Sequence, residues 1–294
     1  VDAATSDKIL GYFIEEAKEH LETLEKGILD LSTVVNDTER INELFRAAHS
    51  LKGGAAMLNL SSIQKTSHRL EDAFKILRDG EATVDQKLEE LFWDAYDVLQ
   101  DLIERLQSAL GLQEDEAEAI VKEAEPTFVE LQEYLQQQKV TATSSHATSG
   151  SYEQFSEAVI KELREMLNLF KQTPNPDNRH QLQQVCNNLQ QIAPDAQNWQ
   201  NLVGVAKVAI ANPKHSYELL APVIIKELKQ GGDYLELEQH ESIAPSLGLE
   251  RLAQARTPQV LLTVEPKAAA SVLLQVFDQV QVSELITLLQ NSHT

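Results

Sequence analysis

The run Phe45-Arg46-Ala47-Ala48-His49-Ser50-Leu51-Lys52-Gly53-Gly54-Ala55-Ala56-Met57 joins a helical pattern to two features that helices seldom carry. Leu44, Phe45, Ala48 and Ala55 recur at helical spacing and define an apolar face. Steps of three, four and seven put Arg46, Lys52, Gly53 and Ala56 on the side of His49. His49 is therefore expected on the solvent side of the helix, among small residues. Two adjacent glycines inside a helix cost about 1 kcal/mol each relative to alanine. A helix carries that cost where something must approach its surface closely, and a phosphoryl group with the domain delivering it is one such object.

Each neighbour of His49 has a chemical reason to be there. A neutral imidazole is nucleophilic near pH 7. Phosphoryl transfer asks for positioning and charge stabilisation more than for covalent help. Lys52, one turn along, offers an ammonium group to phosphoryl oxygens. A carboxylate on the second ring nitrogen would fix the tautomer, and Glu71 on the next helix is the candidate, with His68 one turn before it. His68 is open to two readings, a neighbour in that network or a structural histidine.

Working outward, the periodicity predicts an all-α chain with an N-terminal up-down four-helix bundle and a second, mostly helical domain. Helices are expected at about 6–31 with Ser6 as N-cap, 37–58, 61–78 with Gly80 as stop, and 85–110 ending at Gly111. A fifth, acidic helix at about 114–137 is expected to extend away from the bundle. Residues 1–136 form the first unit. Residues 137–150 read as a flexible linker of small polar residues, and 151–294 as a domain of unassigned role. Helical patterns recur in it near 151–172, 177–192, 196–211 and 215–230, the last closed by Gly231-Gly232. Tyr234–Glu238 and Gln259–Val264 alternate in strand fashion. Two short helices, about 266–279 and 282–291, follow.

The 294 residues are 42 % hydrophobic with a single cysteine, Cys186, which excludes an intrachain disulfide and a cysteine-built zinc site. A reducing cytoplasm is the expected compartment. The formal net charge of −21 lies mostly in residues 1–136. Such a surface repels nucleic acid and anionic lipid, so neither is expected as a partner. No apolar run has membrane-spanning length and no charged-then-apolar leader opens the sequence.

The pattern His49-x-x-Lys52-Gly53 resembles the histidine-phosphotransfer domain. The longer stretch Ala47 to Ala55, followed by Thr66-Ser67-His68-Arg69-Leu70-Glu71-Asp72, looks like the first domain of chemotaxis-type kinases of the CheA class. The likeness covers about residues 5–110. It implies that His49 accepts a phosphoryl group on its outer ring nitrogen, that Lys52 aids that group, and that Glu71 hydrogen-bonds the imidazole with His68 nearby. It implies that Gly53 leaves room for phosphate; Arg46 and Ala56, which share the His49 side by helical spacing, are expected in the docking face. The implied partners are a histidine kinase catalytic domain elsewhere in the full-length protein and a response-regulator receiver domain. More loosely, residues 151–230 look like a region that follows this domain in large hybrid kinases linked to motility, without visible chemistry.

No phosphate-binding loop, dinucleotide fingerprint or kinase nucleotide box occurs, so the chain is expected to act as a phosphocarrier without its own ATP site. The remaining histidines lack metal-ligand spacing, and neither metal nor cofactor is expected. The rival reading is a non-catalytic helical scaffold that docks signalling partners. It is the preferred one for residues 151–294, with a degenerate phosphotransfer-like copy as a further option. An acidic helical chaperone would explain the charge but not the glycines.

Overall fold

A computed structural model describes residues 3–80, 82–108, 111–139, 150–257, 259, 264–277 and 279–291. Among the described residues there are fourteen α-helices and no strand, in accord with the all-α expectation.

The first half contains α1 (Ala3–Ile28), α2 (Leu31–Val34), α3 (Thr38–Met57), α4 (Ser61–Arg78), α5 (Gln86–Gln107), α6 (Glu114–Glu123) and α7 (Glu125–Lys139). Helices α1, α3, α4 and α5 each pack against two of the others and close a four-helix bundle. Their ends follow local chemistry. The Asp37 carboxylate accepts from the backbone N–H groups of Glu39 and Arg40 at the start of α3, and Asp85 accepts from Leu88 at the start of α5. Gly80 and Gly111 adopt φ of +71° and +66° beyond α4 and α5, a conformation that favours glycine. Inside, Phe13, Leu24, Leu44, Leu70, Phe74, Phe92 and Leu99 are buried together, with Phe74 and Phe92 stacked at 4.8 Å.

Gly27 packs directly under Leu44 of α3: a Cβ there would lie 2.2 Å from Leu44 Cδ2. Gly27→Ala is therefore expected to cost about 1–3 kcal/mol through overpacking. A urea midpoint that falls at constant slope would report it; an unchanged midpoint would mean that Leu44 yields freely.

Three expectations for this half are corrected. Ser6 lies inside α1, which begins at Ala3, so it is not the N-cap. The turn at Leu29–Asp30 separates α2 from α1. The acidic fifth helix does not leave the bundle: it breaks at Ala124, and Ala117, Phe128, Leu131 and Leu135 bury against the core, because its acidic surface conceals an apolar stripe.

The second half holds α8 (Gly150–Phe170), α9 (Pro176–Ile192), α10 (Gln197–Ala211), α11 (Tyr217–Glu236), a 3₁₀ turn at His240–Ser242, α12 (Leu247–Gln254), α13 (Pro266–Val276) and α14 (Gln279–Asn291). Helices α8 to α11 form a second four-helix ring around Trp199, whose indole N–H donates to the Leu189 carbonyl at 2.8 Å. Gly231-Gly232 does not stop α11. A Cβ on Gly231 would come within 2.5 Å of Leu202, and one on Gly232 within 3.0 Å of Val159, so the pair serves close packing and the helix runs on to Glu236. Tyr234 to Glu236 are accordingly helical, not extended. In the other strand-like stretch, 260–263 lie outside the described residues. So do 140–149 of the expected linker, while 137–139 belong to α7 and Gly150 to α8.

The halves touch. Helix α11 lies against α1 and α3, and α8 against α3. Ile9 and Met57 of the first half bury in the core of the second, and the Arg164 guanidinium donates to the Ala56 carbonyl at 2.9 Å.

Candidate functional site

Helix α3 presents His49 towards α4 on one edge of its ring and towards α11 on the other. Nδ1 lies 2.8 Å from Glu71 Oε1, and Lys52 Nζ lies 2.7 Å from Glu71 Oε2. One carboxylate on α4 thus holds the imidazole and the lysine of α3 together. The structure brings His49, Lys52 and Glu71 together. Phe45, one turn back, stacks on the imidazole at 6.2 Å and is itself capped by the Arg78 guanidinium at 4.2 Å.

His49 is not on the solvent side. Its relative exposure is 1 %, because α11 covers the face that α3 would otherwise present to water. Nε2 lies 3.3 Å from Glu236 Oε2 and 3.8 Å from Asp233 Oδ1. The first contact is one of charge without hydrogen-bond alignment. Burial alone would push the imidazole towards its neutral form. The carboxylates of Glu236, Glu71 and Asp233 outweigh burial and raise its pKa to about 10. Conversely, burial would raise the Glu71 carboxyl, but His49 and Lys52 hold it down at about 2. Burial likewise opposes charge on Lys52, and Glu71 keeps its ammonium group protonated above the ordinary lysine range. With α11 in place these carboxylates favour the imidazolium form, in which Nε2 carries a proton in place of its lone pair.

The seam beside His49 has its own charge network. Lys229 of α11 is 5 % exposed, and its Nζ lies 2.9 Å from Asp233, 2.8 Å from Ser50 Oγ and 3.6 Å from Glu16. The Ser50 hydroxyl donates to Asp233 at 2.7 Å. Burial would raise the Glu16 carboxyl, yet Lys229 brings it down to about 2. Among the described residues no group of three or more His, Cys, Asp or Glu is placed to hold a metal ion.

The remaining candidates divide. Gly53 and Ala56 lie on the His49 side, as expected, but under α11 and α8: Gly53 faces Asp233 and Lys229, and the Ala56 carbonyl is taken by Arg164. Gly54 is needed for α1, since a Cβ there would sit 2.9 Å from the Phe13 ring. Arg46 lines a groove of about 520 Å³ between α1, α3 and α11, with Glu16, His20, Ser50, Asp233 and Tyr234 among its walls. His68 points away from the triad, with half its side chain exposed and Asp72 at 3.6 Å. Lys229, Asp233 and Glu236 were not singled out from sequence. Their signal is the i, i+4, i+7 spacing that puts three charges on one face of α11.

Residues 8–109 match the family model of the Hpt domain. Over 98 residues the chain is 35 % identical to the chemotaxis protein CheA of Borreliella burgdorferi, covering 33 % of this chain and 11 % of that protein. It is 34 % identical over 97 residues to CheA of Salmonella typhimurium, covering 33 % and 14 %. The match to CheA of Bacillus subtilis is 27 % over 159 residues, covering 54 % of this chain and 23 % of that protein. The chain thus spans a quarter or less of these relatives. Among the described residues no helix is long and apolar enough to cross a membrane.

Proposed function

We propose that residues 8–109 carry phosphoryl groups on His49 in a chemotaxis-type phosphorelay, taking them from a kinase catalytic domain and passing them to an aspartate of a receiver domain. The observation that carries this reading is the single Glu71 carboxylate bridging His49 Nδ1 and Lys52 Nζ. With Glu71 accepting from Nδ1–H, the ring is held in the tautomer whose lone pair sits on Nε2. That lone pair attacks the phosphorus of a phosphoanhydride or acyl phosphate. An N–P bond forms, the P–O bond to the leaving phosphate or carboxylate breaks, and the proton remains on Nδ1, donated in a hydrogen bond to Glu71. The reverse step hands the group to an aspartate carboxylate. Lys52, already beside the ring, offsets charge on the transferring oxygens.

The test is to incubate the full chain with a receiver domain charged by acetyl phosphate, then to map the label and challenge it with acid. The expected outcome is one phosphoryl group, lost in acid and located on the peptide bearing His49. Label that survives acid, or that maps elsewhere, would overturn the assignment.

A further inference from the structure

We propose that the second four-helix unit is an intramolecular cap: α11, held by α8, closes over His49 and must lift before the histidine can receive or release a phosphoryl group. This rests on the phosphocarrier reading of His49.

The first reason is space. In-line transfer requires the donor phosphorus about 3–3.5 Å from the attacking nitrogen. That position is filled, since Glu236 Oε2 stands 3.3 Å from Nε2 and Asp233 Oδ1 3.8 Å away. The neighbouring groove gives no route round it, as Ser50 and Asp233, not His49, form its wall. The second reason is reactivity. Closed, the carboxylates around the ring favour its doubly protonated form, and an imidazolium is no nucleophile. Lifting α11 removes Glu236 and Asp233 but leaves Glu71, whose role in orienting the ring is separate.

The seam also has the make-up of an interface that opens. Its centre is polar, with Lys229 set between Asp233, Glu16 and Ser50, while Ile9 and Met57 bury in the second core, Leu58 packs against it and Leu237 packs against the first. Within-chain interfaces of this polar kind permit relative motion of the units they join. Phosphorylation would reinforce opening. A phosphoryl group brings about −1.5 to −2 charges to a site walled by Asp233 and Glu236, so the modified histidine and the closed cap exclude each other. By linkage, whatever draws α11 away favours phosphorylation to the same degree.

The test uses the full chain treated with diethyl pyrocarbonate at pH 7, with His68 as the exposed internal reference, and in parallel with phosphoramidate as a small phosphoryl donor that releases ammonia. In the unmodified chain His49 is expected to react with the pyrocarbonate at least about tenfold more slowly than His68. Lys229→Glu sets a third carboxylate beside Glu16 and Asp233 and should bring His49 to within about threefold of His68 and raise phosphoryl labelling about tenfold. Arg164→Ala, which leaves every buried charge in place, is the second variant should Lys229→Glu lose helix content by circular dichroism. His49 reacting as fast as His68 in the unmodified chain, or staying protected in both folded variants, would overturn the cap. If His49 becomes reactive in a variant yet takes no phosphoryl group, the cap stands and the phosphocarrier reading falls.

Discussion

Glu71→Ala is expected both to slow phosphoryl transfer about 100-fold and to destabilise the N-terminal bundle by about 3–5 kcal/mol. The kinetic loss follows from orientation: without an acceptor at 2.8 Å from Nδ1 the ring is free to rotate and to change tautomer, and small misplacements at a reacting centre cost about that factor. The stability loss follows from charge. Glu71 is 7 % exposed and faces two cationic partners, so its removal strands Lys52 and His49 at a buried site. From sequence alone Glu71 would be expected to affect rate and not stability; the double contact is what adds the second effect. Glu71→Gln separates the two, because its amide oxygen can still accept from Nδ1–H while the charge is gone. The glutamine variant should recover orientation, and hence most of the rate, but not the stability. Single-turnover transfer and urea unfolding of all three chains provide the check, and an alanine variant indistinguishable from the parent in both would remove Glu71 from the site.

The N-terminal bundle was legible because its signals are local. Asp37 and Asp85 cap the helices they precede, Gly80 takes the positive φ its place requires, and His49, Lys52 and Glu71 meet across adjacent helices joined by a short turn. The covering of His49 was not legible, since it depends on residues more than 180 positions away whose approach no periodicity encodes. Gly53 illustrates the difference. A glycine there does signal close approach, as the sequence suggests, but the object approaching is α11 with Asp233 and Lys229. Gly231-Gly232 misleads for the complementary reason: glycine can end a helix or let one pack tightly, and it is Trp199 and Leu202 of α10 with Val159 of α8 that decide in favour of packing. Lys229 reads as one of several surface charges until Glu16 and Ser50 enclose it.

Stability of the closed arrangement is expected to fall as pH rises from about 6.5 to about 10, by a few kcal/mol, and His49→Gln should abolish that alkaline decline. The sign follows from linkage. His49 has a folded pKa of about 10, above its ordinary 6.5, so its stabilising contribution is complete below 6.5 and is lost as pH climbs through 10. Glu16 and Glu71 act oppositely. Both are held at about 2, below the ordinary 4.5, so their contributions are complete above 4.5 and disappear as pH falls through 2. Lys52 and Lys229 lie above the ordinary 10.5 and keep their charge throughout the alkaline window. Between about 4.5 and 6.5 all these groups contribute, and on the alkaline side His49 is the first to fail. Its loss of charge leaves Asp233 and Glu236 facing a neutral ring, so the seam should loosen before either bundle melts. Thermal unfolding of the parent and of His49→Gln from pH 5 to 10 gives the comparison. A decline of equal slope in both chains would mean that some other group governs the alkaline limb, and that the carboxylates of α11 do not hold His49 as an imidazolium.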